Sequence, residues 1–126
     1  MAERTSGLAD RMRRGDVFEP NWPSRQILRH VTSSWGALTL IALRPGTLRF
    51  SARCRKVSGV SERMLAQTLH QLEGDGLVLR KSFPVVPPHV EYTLTELGQE
   101  AAGHVETLAD WIEARLPKFG ALGTMS

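Results

Sequence analysis

The sequence offers little with which to staple, ligate or catalyse. Its single cysteine, Cys54, cannot close an internal disulfide, which suits a reducing compartment. The four histidines, His30, His70, His89 and His104, are scattered without metal-ligand spacing. There is no Gly-rich phosphate loop and no nucleophile motif, so neither enzymatic activity nor a cofactor or metal is expected. No apolar run reaches the ~18 residues of a membrane span. The stretch from Met1 to Asp16 lacks the apolar core of a secretory signal. What these absences leave is a soluble, cytoplasmic protein, and 126 residues suffice for one domain with its own core.

What is present is an uneven distribution of charge. The net value is only +3, but residues 44–81 carry eight basic and three acidic side chains, a net +5. Residues 1–43 give +2, and residues 82–126 give −4. A basic segment between less basic flanks is the footprint expected for phosphate binding. A solvated basic face would have the same composition.

Residues 1–20 are polar and read as a flexible tail, with at most a short helical turn around Leu8–Met12. A single domain is expected over 21–117, with a C-terminal tail at 118–126. Pro23 can open a helix, and Ile27, Leu28 and Val31 follow at helical spacing. Ser33 or Ser34 can cap a second helix over about Trp35–Leu43, whose apolar residues on most sides mark it as buried. Arg44-Pro45-Gly46 ends it.

Leu48-Arg49-Phe50 is a short extended piece, followed by a third helix over about Ser51–Val57 and a fourth from Ser61 to about Gly74. The fourth has an inner face of Met64, Leu65, Thr68 and Leu72, with Leu69 alongside. Its outer face is Glu62, Arg63, Gln67, His70 and Gln71. Two short helices across a Gly-containing turn, the second amphipathic, form a helix-turn-helix pattern.

Beyond Gly76 the period becomes extended. Leu77–Ser82 and His89–Leu94 read as strands around the proline-stiffened loop Phe83–Pro88, the sequence form of a wing. Thr93-Leu94-Thr95-Glu96 offers a capping box for a long helix that Pro117 stops near Leu116. Leu94, Ala101, Val105, Leu108 and Ile112 recur along it at helical steps, with Trp111 beside them. This stripe lies outside the winged core, so the same helix of a second subunit is its economical partner. Packing back on its own domain is the alternative. The fold class is mainly α with a small β-hairpin: a winged helix-turn-helix with flanking N- and C-terminal dimerisation helices.

Several segments in order resemble one family. They are Trp35 at the opening of the second helix, Gly46-Thr47-Leu48-Arg49-Phe50-Ser51, and Gly59-Val60-Ser61 before Met64-Leu65. Further on come Leu69, then Leu72-Glu73, then Asp75-Gly76-Leu77-Val78, and finally the run from Val86 to Gly98. The stretch from Trp22 to Leu116 resembles the HxlR-type winged helix-turn-helix regulators of bacteria, distant relatives of the MarR-like repressors. The resemblance implies homodimers built from the first and last helices, with Trp22, Ile27, Leu28, Val105, Leu108, Trp111 and Ile112 at the interface. It also implies a recognition helix at 61–73 and binding of a specific, pseudo-palindromic operator at the nucleoid, as a repressor. Family members often sense oxidants or electrophiles through a cysteine just before the first-helix proline. Here that position is Trp22.

A recognition helix reads base edges in the major groove from its outward, N-terminal turns. Arg63 can fork onto guanine and Gln67 onto adenine, each such contact giving about 1–3 kcal/mol of discrimination. Glu62 can accept from cytosine or compensate the helix dipole. Ser51, Ser61 and His70 complete the contact set, with His70 placed for a phosphate or water. Arg49, Arg55, Lys56, Arg80 and Lys81 are candidate phosphate contacts. On the wing, 80–90, Arg80 or His89 can instead enter the minor groove. Cys54 lies beside Arg53, Arg55 and Lys56, which would stabilise a reactive thiolate; a small filler side chain is the plainer reading. Trp22, Trp35, Phe50 and Trp111 could line an effector pocket, or serve as core and interface. The competing function is a winged helix used as a protein-interaction module without specific DNA binding.

Overall fold

The computed structural model describes residues 7–15, 23–50 and 62–120. The expected third helix, and with it Ser51, Cys54, Arg55, Lys56 and Ser61, lies outside the described residues, as does Trp22. The elements in chain order are α1 (Leu8–Arg13), α2 (Pro23–Thr32), α3 (Ser34–Leu43), β1 (Leu48–Arg49) and α4 (Glu62–Gly74). They are followed by β2 (Val78–Phe83), β3 (His89–Leu94), α5 (Glu96–Ala114) and a 3₁₀ turn at Leu116–Lys118. No helix among the described residues is long and apolar enough to cross a membrane.

Pro23 opens α2, as its fixed φ and missing N–H favour at a helix start. Ser33 caps α3 by accepting from the Gly36 N–H at 3.0 Å. The apolar α3 runs through the centre, packing on α2, α4 and α5. Its Leu40 and Leu43 meet Leu65, Leu69 and Leu72 of α4, together with Leu77, Val78, Tyr92, Leu94 and Ala102, in one buried cluster.

The two strands of the expected hairpin pair antiparallel from Val78 with Leu94 to Phe83 with His89. The short piece Leu48–Arg49 adds a third strand on the far side of β3, giving the order β1-β3-β2. The sheet is therefore larger than a hairpin. Its inner row, Val78 with Leu94 and Arg80 with Tyr92, buries all but Arg80.

Three sequence expectations need correction. Met64 is 46% exposed rather than inward-facing, because only Leu65, Leu69 and Leu72 fall on the one buried stripe of α4. The cap of the last helix is Thr95, whose hydroxyl accepts from the Gly98 N–H at 3.0 Å. Thr93, expected in that role, belongs to β3 and hydrogen-bonds Thr47. Leu94 likewise ends the strand and is buried in the core instead of starting the helical stripe.

Candidate nucleic-acid interface

Helix α4 is two-faced. At 100° per residue, Arg63 and Gln67 lie about half a turn from Leu65 and its buried stripe. Both are exposed, as are Glu62 and His70. Arg63, Gln67 and His70, at steps of four and three, thus form one continuous outward row. The burial of three leucines fixes which way that row points.

The end of α4 is held tightly. Gly76, at φ +82°, takes the left-handed conformation that closes a helix, and its N–H donates to the Glu73 carbonyl at 3.0 Å. The Leu77 N–H reaches back to Leu72 at 3.0 Å, and both side chains are buried together. Two other elements pin the same turn. His30 Nδ1, near the end of α2, donates to the Asp75 carboxylate at 2.7 Å, with both side chains largely buried. The Thr95 hydroxyl donates to the Gly76 carbonyl at 2.7 Å, and its N–H to that of Leu77 at 3.0 Å. Gly98 completes the joint, since a Cβ there would collide with the Leu77 carbonyl. The angle of α4 is set by these contacts, and sequence spacing revealed none of the pairings.

The outer face of the sheet carries the other candidate cations. Across β1, β3 and β2, Arg49 stands in register with Glu91, and Glu91 with Lys81. Arg49 and Lys81 are exposed. His89 is less available: its ring stacks on Phe83 at 4.7 Å between centroids, and its Nε2 lies 3.3 Å from Glu91. Glu91 is thus an acidic centre among three basic side chains, a residue that the sequence reading passed over. Arg80 is exposed on the inner row of the sheet, beyond the edge of the core.

Of the expected interface residues, Ile27, Leu28, Val105 and Leu108 line one groove, while Trp111 and Ile112 lie further along α5. Ile27 and Leu28 of α2, and Leu108, Trp111 and Ile112 of α5, are each 39–53% exposed. Val31 and Val105 lie between them, partly buried against the core. The two helices enclose an apolar groove of about 440 Å³ lined by Ile27, Leu28, Val31, Leu97, Val105 and Leu108. At the far end of α5, Trp111 meets Phe119 edge-on at 6.0 Å, with Arg115 over its ring. The proposed aromatic effector pocket does not form from Phe50 and Trp111, which line separate cavities; Phe50 packs toward Tyr92. Among the described residues no cluster could hold a metal ion.

Comparison with known proteins identifies the family and agrees with the winged-helix fold. The profile of the HxlR-like helix-turn-helix family matches residues 30–119. The chain is 55% identical over 115 residues to the uncharacterized HTH-type transcriptional regulator YtfH of Escherichia coli strain K12, covering 91% of each. A solved structure described as the transcriptional regulator YtfH of Salmonella typhimurium matches with a TM-score of 0.76 at 59% identity. That match covers 81% of this chain and 91% of that one. The redox regulator HypR in its reduced form matches with a TM-score of 0.67 at 32% identity, over 75% and 93% of the two chains. The chain therefore belongs to the HxlR-like helix-turn-helix family and is a transcriptional regulator with a winged-helix DNA-binding domain.

Proposed function

We propose that the chain binds a specific, pseudo-palindromic operator as a homodimer and represses by occupying it. The observation that carries this reading is the one-sidedness of α4, whose buried leucine stripe turns Arg63, Gln67 and His70 outward as a row. In the major groove, Arg63 forks onto guanine and Gln67 onto adenine, while Glu62 accepts from cytosine or offsets the helix dipole. Arg49, Arg80 and Lys81 hold phosphates, and the wing, 80–90, lies on the backbone or in the minor groove. The exposed apolar α2–α5 face supports the dimer, because water disfavours a contiguous apolar surface of this kind. In such a dimer the two copies of α4 are expected to meet half-sites about 34 Å apart, one helical turn of DNA. Repression by occupancy needs only these two faces.

The test is fluorescence anisotropy of the purified protein with DNA from upstream of its own gene, against scrambled DNA, at two salt concentrations. Strong preference for the native fragment, weakening as salt rises, is the expected result. No binding to either duplex at low salt would contradict the proposal and favour the protein-interaction module.

A further inference from the structure

The wing tip is chemically unlike the rest of the proposed DNA face. Residues 84–88, Pro-Val-Val-Pro-Pro, form five consecutive exposed apolar positions between the last strand pair, Phe83 with His89. Val85 is 53% exposed and Val86 is 98% exposed. An isolated surface valine needs no explanation, but a run of this length has no place on a solvent-facing loop unless something covers it.

The tip cannot serve as a phosphate clamp. It carries no basic side chain, and Pro84, Pro87 and Pro88 have no N–H to donate. The cations stand lower, at Arg80 and Lys81, with Lys81 Nζ 5.8 Å from the Phe83 ring centroid. The prolines also restrict the backbone, so little conformational freedom is lost when the tip is seated. The tip is continuous with the DNA face as well: Pro87 and Pro88 share a cleft with Ala66 of α4 and with Arg49.

From this we infer that the wing tip is an apolar wedge for the DNA minor groove, with Val85 and Val86 pressed between the sugar walls and against a base step, bending the duplex. The inference rests on the DNA-binding reading above and adds to it a bend and a preference at positions that α4 does not contact. Apolar side chains placed in this way partly unstack a step and kink DNA by roughly 20–90° toward the major groove. Flexible pyrimidine–purine steps are the easiest to open, so they are the expected preference under the wing.

The probe is an operator duplex selected in vitro on the wild-type chain and labelled at its two ends as a donor–acceptor pair. Wild type is expected to shorten the end-to-end distance, and Val85→Ser with Val86→Ser to restore it nearly to that of free DNA. The double variant should bind at least about threefold more weakly, since two apolar contacts are lost. Its salt dependence should be unchanged, because no phosphate contact is removed. Val86→Ile, which keeps the wedge, should retain the bend. Thermal melting shows that each variant folds, as expected for residues outside the core. Equal affinity and equal bending by wild type and the double serine variant would overturn the wedge, leave the DNA reading intact and assign the tip to a protein partner. A wild-type chain that selects no duplex would remove both the wedge and the reading beneath it.

Discussion

Two surfaces of this molecule are exposed for opposite chemical reasons. Along α4 and the sheet, the exposed side chains include Arg63, Gln67, His70, Arg49, Arg80 and Lys81, polar or cationic groups at home in water, with Met64 and Leu79 as apolar exceptions. Along α2 and α5 they are Ile27, Leu28, Leu108, Trp111 and Ile112, which water does not favour. The first surface can stay open while the protein waits for a polyanion. The second is costly until something apolar covers it, and a second copy presents a matching one. The joint between them is neither polar nor apolar surface but a saturated turn, in which His30 and Thr95 grip the residues closing α4. It links the helix that we assign to dimerisation with the helix that we assign to DNA.

If the two surfaces divide the labour in this way, substitutions should separate them. The largest effect is expected from Leu108→Glu, which puts a charge in the α2–α5 groove. Sedimentation should show a monomer, and operator affinity should fall by about 10²-fold or more as the bivalent gain disappears. Next comes Arg63→Ala, which should leave the dimer intact and lower operator affinity by the equivalent of about 1–3 kcal/mol, with specificity relaxed at one base pair. Titration against single-base operator variants checks this. A smaller change is expected from Thr95→Ala, which removes the cap of α5 and a bond to the turn. Denaturant unfolding should show a loss of about 1–2 kcal/mol. The smallest is Glu91→Gln, which removes the one acid from the row between Arg49 and Lys81. Affinity should rise slightly and its salt dependence steepen, a gain bounded by the ~0–1 kcal/mol of surface charge pairs.

Local patterns were legible in the sequence where local chemistry decides them. Pro23 opens α2, Ser33 caps α3, and the change of period after Gly76 marks the strands because each depends on neighbouring residues alone. The outward row Arg63, Gln67 and His70 was legible for the same reason, from helical periodicity. Met64 was misplaced because an apolar residue near a stripe reads as part of it until packing decides, and α4 buries a narrow stripe. Thr93 reads as the cap from its spacing to Glu96, but it belongs to β3 and its hydroxyl bonds Thr47, so the role falls to Thr95. The His30–Asp75 bond spans 45 residues, and the central place of Glu91 depends on strand register across three strands. No spacing rule reaches that far. The periodic stripe along the last helix already points to a partner, and the resemblance to HxlR-type regulators adds the first helix to that expected interface.

The central claim is that two copies of this chain read one operator, with α4 of each in its own half-site. Hydroxyl-radical footprinting of the selected operator tests it most directly. Two protected half-sites related by a dyad, their centres about 34 Å apart, are the predicted result, and both should vanish together in Leu108→Glu. A single protected patch that survives in Leu108→Glu would contradict it, because one α4 would then suffice for recognition.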